Sequence, residues 1–218
     1  MMHRHIDIYC ERVGPEFWAE PLNAVSNLAF ILAGGLLVVA FRREGATLRS
    51  DPAIAALIGL VFFIGVGSGL FHTFAVVWSM LADVIPIAAF ILLYMYLALR
   101  RLVMLPLQAC LLILLVVLAL VIAMPLLFGF SVSTYAVALA AMMIVGGFLH
   151  FSRKHPAGRP ILVAALVFAV SLSFRTVDLP LCEVLPIGTH YFWHVLNAVV
   201  LYWLTRTMMR HGRQATAA

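Results

Sequence analysis

The chain has 218 residues, of which 65% are hydrophobic and only 11% charged, and its formal net charge is +5. Soluble domains carry about a quarter charged residues and roughly half apolar ones. The composition therefore excludes a soluble globular domain, a disordered chain, a nucleic-acid-binding domain and a disulfide-rich miniprotein. The apolar runs are continuous and do not alternate, which argues against an outer-membrane barrel. A helical protein that crosses the membrane several times remains.

Seven apolar runs follow one another along the chain, and a single membrane span needs ~20 such residues. The predicted spans are 22–41, 53–72, 76–99, 105–124, 131–151, 160–177 and 188–208. We predict an all-α membrane protein, a bundle of seven transmembrane helices. An outer N-terminal segment (1–21) precedes the seven-helix domain (22–209), and a short tail (210–218) follows it.

The distribution of basic residues predicts the orientation in the bilayer. Eleven lysines and arginines follow the predicted spans 1, 3, 5 and 7, whereas only Arg4, Arg12 and Arg175 fall on the other side. Cytoplasmic loops of membrane proteins are enriched in Lys and Arg. We therefore predict an outer N-terminus and a cytoplasmic C-terminus. The very short loops favour a bacterial inner membrane, and the sequence leaves the oligomeric state open.

Ionisable residues within a membrane span cost ~2.5–3.5 kcal/mol each on insertion scales, and four of those found here are candidates for function. His72 ends span 2, Asp83 lies early in span 3, and His190 and His194 begin span 7. In the predicted topology all four lie near the outer face. Residues of three different spans at one depth indicate a shared functional site.

The spacing of the histidines is typical of a metal site. His190 and His194 are four residues apart and therefore share one helix face, and His72 could supply a third ligand. Three protein ligands with an open fourth position are the arrangement of catalytic zinc. Asp83 could then act as a base, and Ser68, one turn before His72, could donate a hydrogen bond to a developing oxyanion. The alternative is that these histidines are hydrogen-bonded packing residues, but their matched depth favours the metal site.

The predicted outer segments contain two cysteines and several acidic residues. Cys10 and Cys182 would both face an oxidising compartment, where a disulfide between them could form. The acidic residues, with one asparagine, could supply oxygen ligands to Ca²⁺. A solvated acidic face is the simpler interpretation, and composition alone favours it. The residues concerned are Asp7, Glu11, Glu16, Glu20 and Asn23.

Several motifs, in the same order, resemble those of the alkaline ceramidase family. The family pattern has a Cys-Glu pair followed by Ala-Glu and Ser-Asn elements, a Gly-Ser-x-x-Phe-His motif with an aspartate eleven residues later, an Ile-Asp…Cys element and paired histidines. The matching segments are Cys10-Glu11 with residues 19–27, residues 67–72, Asp83, Val177-Asp178 with Cys182, and residues 190–194. The matches extend over nearly the whole chain.

The resemblance implies an intramembrane zinc amidase that hydrolyses ceramide or a related N-acyl lipid. It implies zinc ligands at His72, His190 and His194, proton transfer by Asp83 and transition-state support by Ser68. It also implies a disulfide between Cys10 and Cys182. The implied calcium site matches less well: Glu11, Glu20 and Asn23 correspond, but the family's aspartate falls at Ile8, next to Asp7, and its asparagine at Val13.

A zinc-containing lipid receptor or sensor without turnover is the main alternative, because the related progestin and adiponectin receptors share this type of zinc site. The very short connections and tail leave little chain for coupling to a signalling partner. A haem-binding electron carrier fits less well, since His190 and His194 lie on one helix and cannot reach opposite faces of one haem. The predicted partners are a lipid substrate and the bilayer, without nucleic acid.

Overall fold

The computed structural model describes residues 2–47, 49–128 and 133–212, which are mainly helical and contain no strand beyond an isolated bridge between His5 and Val76. The helices are α1 (Pro21–Ser26), α2 (Leu28–Arg43), α3 (Pro52–Phe74), α4 (Val77–Leu97), α5 (Leu107–Phe128), α6 (Ser133–Gly147), α7 (Gly158–Val177) and α8 (His190–His211). A π-helical turn extends α4 through Leu102, and another extends α6 through Ser152. The first two residues of the predicted fifth span and residues 213–218 of the predicted tail lie outside the described residues.

Five described segments are long and apolar enough to cross a membrane, by length and composition. They are Pro21–Arg43, Pro52–Phe74, Val77–Leu102, Thr134–Ser152 and Gly158–Val177. Their outward faces carry large apolar side chains such as Leu32 and Phe63, each 65% exposed, which suit a lipid environment. These helices indicate a multi-pass membrane protein. The predicted runs 105–124 and 188–208 are helical as well, as α5 and α8, but they are not among these five segments.

Local interactions explain where the first helices begin and break. Pro21 occupies the first position of α1, where its missing N–H is not needed. At the other end of α1, the side chains of Ser26 and Asn27 both donate to the carbonyl of Asn23, at 2.8 Å each. Such side-chain bonds compete with the backbone ladder, and α2 begins immediately afterwards as a separate helix.

Ion pairs gather the basic connections at one end of the bundle. Arg101, after α4, binds Asp51 before α3 through two bonds of 2.8 and 3.1 Å. Arg101 also donates to the carbonyl of Gly212 after α8, at 3.3 Å. Arg206 of α8 pairs with Glu44 after α2. The ends of α2, α4 and α8 and the start of α3 therefore meet at this end, and the N-terminal segment covers the opposite one.

The contact between α3 and α4 is unusually close. Pro86 has no N–H, so the carbonyl of Ala82, four residues earlier, lacks its usual helical partner. Gly67 of α3 packs directly against this carbonyl: a Cβ at residue 67 would lie 2.0 Å from the Ala82 oxygen. The absence of a side chain thus lets the two backbones meet, and this contact brings the next residue of each helix, Ser68 and Asp83, to the same place.

We expect Gly67→Ala to push α3 and α4 apart and to destabilise the protein by about 1–3 kcal/mol, as overpacking does. Gly59→Ala is the matched control, because nothing lies within 4 Å of that position in the same helix. Thermal unfolding in detergent, followed by tryptophan fluorescence, measures both variants. Equal melting temperatures for the two variants would contradict the close contact.

Candidate metal centre

Three buried histidines converge where the end of α3 meets the start of α8. One ring nitrogen from each of His72, His190 and His194 lies within 4.8 Å of the others. Their exposed fractions are 1%, 1% and 2%. His190 and His194 occupy successive turns of α8, and the His72 ring lies 4.6 Å, between centroids, from that of His194. The structure thus brings together the three histidines that the sequence analysis selected.

Two neighbouring side chains determine which ring nitrogens face the cluster. His72 Nδ1 lies 2.6 Å from Glu20 Oε2, and His194 Nδ1 lies 2.7 Å from the Ser26 hydroxyl. Hydrogen bonds of this kind orient metal-binding imidazoles, and they leave Nε2 of both rings free to bind a metal ion. Within the described residues, His72 Nε2 and His190 Nδ1 are buried without a hydrogen-bond partner. Buried imidazole nitrogens left unpaired around one point fit a zinc ion.

Asp178 holds the start of α8 in place. Its carboxylate accepts hydrogen bonds from the backbone N–H groups of Thr189, His190 and Cys10, at 2.6, 2.9 and 3.0 Å. Gly188 lies beside it with a φ of +63°, and a Cβ there would come within 2.3 Å of Asp178 Oδ1. One buried carboxylate therefore fixes both the first histidine of α8 and the N-terminal segment.

The N-terminal segment is also joined covalently to the α7–α8 connection. Cys10 and Cys182 form a disulfide, which is the pairing that the resemblance implies. Tyr9 precedes this link and stacks on the His190 ring, with 3.8 Å between ring centroids. Arg175 donates to the Tyr9 hydroxyl at 2.8 Å and lies over its ring. Burial raises the pKa of this hydroxyl, and Arg175 offsets the effect only in part, so Tyr9 stays neutral.

A cavity leads from the histidines into the bundle. Ser68, Asp83 and His194 line its polar end, and the remaining lining comes mostly from apolar side chains of α2, α3, α4, α6, α7 and α8. Asp83 Oδ1 is buried there without a hydrogen-bond partner among the described residues. An apolar group could lie along this lining with a polar group beside His194, Ser68 and Asp83.

The family model described as Ceramidase matches residues 8–216, nearly the whole chain. The chain belongs to the ceramidase family. Comparison with individually curated proteins finds no match. Membership of the ceramidase family supports an amide-bond hydrolase that acts on ceramide, a lipid.

The acidic residues of this ceramidase-family chain do not form one solvated face, so that interpretation is wrong for two of them. Glu11 and Glu20 are 9% and 2% exposed, whereas Asp7 and Glu16 lie on the surface. Sequence reasoning missed this because it gave Arg12 no partner: the guanidinium is itself buried and lies 2.5 Å from Glu20. A buried carboxylate needs such a partner.

The implied calcium site does not fit these side chains. Both oxygens of Glu11 accept backbone N–H bonds from Leu22 and Asn23, at 2.7 and 2.8 Å. Both oxygens of Glu20 are engaged as well, one by Arg12 and the other by His72 and the Asn23 amide. Burial would raise the pKa of Glu20, but these hydrogen bonds outweigh it and lower that pKa. A calcium ion would have to displace donors that the protein already supplies.

Several residues that shape the centre were missed at the sequence level. Ser26 and Asp178 lie inside motifs that resemble the family's, which was the available signal, but no role was assigned to either. Tyr9 stands directly before Cys10-Glu11, where the family pattern has an aromatic residue, and it too was given no role. Arg175 was counted only as an outer positive charge, yet its guanidinium packs over the rings of Tyr9, Tyr135 and Trp193.

We expect Glu20→Gln to weaken zinc binding by about 10–100-fold, the usual effect of losing a partner that orients a metal-binding histidine. Glu16→Gln is the control, since Glu16 belongs to the same segment but is exposed. Competition with a coloured zinc chelator measures both affinities. If Glu20→Gln binds zinc as tightly as the control does, Glu20 does not orient His72.

Proposed function

We propose that this protein is an integral membrane, zinc-dependent amidase that hydrolyses ceramide or a related N-acyl lipid to a free amine, such as a sphingoid base, and a fatty acid. The observation that carries the proposal is the position of the three histidines at the polar end of an apolar cavity, next to Asp83, whose Oδ1 has no hydrogen-bond partner among the described residues. An amide group at this end would meet the metal ligands and a base together.

His72, His190 and His194 would hold the zinc ion. Zinc bound there would lower the pKa of a water molecule and polarise the amide carbonyl. Asp83 would take a proton from the attacking water as the new C–O bond forms. It would then give that proton to the nitrogen of the leaving amine as the C–N bond breaks. The Ser68 hydroxyl, beside Asp83, would donate a hydrogen bond to the carbonyl oxygen as negative charge develops.

The cavity supports a lipid with a polar group close to its amide. Asn197 lies three residues after His194, about 4.5 Å further along the helix axis, and lines the same cavity. Among the described residues, its side-chain nitrogen is buried without a hydrogen-bond partner. Leaving a buried donor unpaired costs about 1–3 kcal/mol. A hydroxyl group of the substrate would satisfy it, and ceramide carries hydroxyls on either side of the carbon that bears its amide nitrogen.

The proposed orientation is a seven-span bundle with its active site towards the outer face of a bacterial inner membrane. The separation of the two ends supports it. Ion pairs of Arg101 and Arg206 gather the basic connections at one end of the bundle, and the histidines lie under the N-terminal segment at the other. Positive connections favour the cytoplasmic side.

We expect His194→Ala to lose zinc and fatty-acid release together, because it removes one of three ligands. His211→Ala is the matched control: it removes a histidine from the other end of the same helix. Zinc content and fatty-acid release are measured on proteins purified in detergent, with a panel of ceramides and other N-acyl lipids.

Activity that survives both His194→Ala and the removal of metal would overturn the zinc mechanism. A wild-type protein that binds zinc and lipid but releases no fatty acid from the whole panel would instead support the receptor alternative.

We expect Asn197→Leu to lower kcat/KM for ceramide by about tenfold, the value of one hydrogen bond to a buried group. A ceramide analogue without the 3-hydroxyl group is the control, and the variant should hydrolyse it as well as the wild type does. Equal losses on both lipids would show that Asn197 does not contact this hydroxyl.

A further inference from the structure

The side chain of Arg12 is surrounded by oxygen atoms. It is 5% exposed, and all its hydrogen bonds among the described residues go to oxygens. Nε donates to Glu20 Oε1 at 2.5 Å, and Nη2 donates to the carbonyl of His72 at 3.1 Å. Nη1 donates to the carbonyls of Gly14 and Glu16, at 2.9 and 3.5 Å. One carboxylate and three carbonyls thus converge on a single positive group.

A hard cation such as Ca²⁺ binds this kind of oxygen set, but it needs six to eight ligands. Here the guanidinium already takes the carboxylate and the carbonyls. Glu11 is engaged by the first turn of α1. Asn23 Oδ1 is the one side-chain oxygen of Glu11, Glu20 and Asn23 that remains buried and unpaired within the described part of the chain. One free ligand is too few for calcium, and the Arg12 guanidinium already places a positive charge among these oxygens.

Arg12 also contacts the metal centre along two routes. Through Glu20 it reaches the His72 ring, because Glu20 Oε1 accepts from Arg12 while Oε2 lies 2.6 Å from His72 Nδ1. Through its own Nη2 it holds the His72 backbone. A planar guanidinium can form such divergent bonds with fixed angles, and a single ammonium group cannot. Arg12 therefore restrains both the main chain and the side chain of one ligand.

We infer that Arg12 is a built-in cation that takes the place of a bound calcium ion in the N-terminal segment and acts as a positioning residue, holding Glu20 and His72 in the geometry that binds the catalytic metal. The positioning role rests on the proposed zinc site. The replacement of calcium rests on the hydrogen bonds of Arg12, Glu20 and Glu11 alone.

The first test compares wild-type protein in calcium chloride and in a calcium chelator. We expect the same melting temperature in both, and no heat of calcium binding by calorimetry. A clear rise of the melting temperature with calcium, or stoichiometric binding, would overturn the replacement of calcium.

The second test measures zinc affinity in Arg12→Met, Glu20→Gln and the double variant. We expect each single change to weaken zinc binding by about 10–100-fold. The double variant should bind zinc as tightly as the more affected of the two single variants, because both changes break the same chain of contacts. Arg4→Met, which removes an exposed arginine from the same segment, should bind zinc like the wild type. A general loss of stability would not produce this non-additive pattern.

Zinc binding by Arg12→Met that equals wild type, or losses that simply add in the double variant, would overturn the positioning role. If Arg12→Met does not fold, Arg12→Lys replaces it. This variant keeps the positive charge but loses the planar guanidinium with its divergent hydrogen bonds, and we expect several-fold weaker zinc binding. Unchanged affinity in Arg12→Lys would count against the role. A wild-type protein that binds no zinc would refute the proposed metal centre itself. The calcium titration would still test whether Arg12 takes the place of calcium.

Discussion

The candidate site depends on the hydrogen bonds that the Glu20 carboxylate makes with Arg12 and His72. One oxygen accepts from Arg12 and the other lies against His72, so a single side chain connects the N-terminal segment to α3. A buried carboxylate is stable only when its charge is balanced and its oxygens are hydrogen-bonded, and Arg12, His72 and Asn23 together meet both conditions. The N-terminal segment is therefore part of the candidate metal centre.

Two further constraints bring the remaining helices to this point. Asp178 binds the N–H groups at the start of α8, which sets the height and rotation of His190. On the other side, the proline in α4 leaves the carbonyl of Ala82 without its helical partner, and Gly67 allows α3 to approach it closely. Asp83 and Ser68, the base and the hydroxyl donor of the proposed reaction, then lie next to the histidines at the polar end of one apolar cavity.

The same arrangement explains why the chain tolerates so many polar groups in an apolar bundle. Most of them lie at one end, where neighbouring segments supply their partners. Among the described residues, several of the buried side-chain atoms that remain unpaired, such as His72 Nε2, Asp83 Oδ1 and the Asn197 amide nitrogen, belong to the cluster of histidines or to residues that line the cavity. Unpaired buried groups are costly, so these atoms favour a site that a metal and a polar substrate complete.

The calcium prediction rested on residue types alone, which do not determine the hydrogen-bond partners of those residues. Glu11, Glu20 and Asn23 all occupy positions that match the family pattern, yet their oxygens meet donors of the protein itself. Arg12 stands beside these residues in the sequence, where it looks like one more outer positive charge. Only its burial and its four oxygen contacts reveal that it fills the position of a cation.

The sequence by itself determined the helical class, the place of each apolar run and the three histidines, because hydropathy and an i, i+4 spacing are local properties that survive without knowledge of the fold. The tertiary structure decided which donors meet which acceptors: Glu20 with Arg12 and His72, Ser26 with His194, and Asp178 with the start of α8. These pairs are separated by up to 168 residues. Which residues pair depends on how the helices pack, since a buried polar group bonds to whichever partner the packing brings within reach.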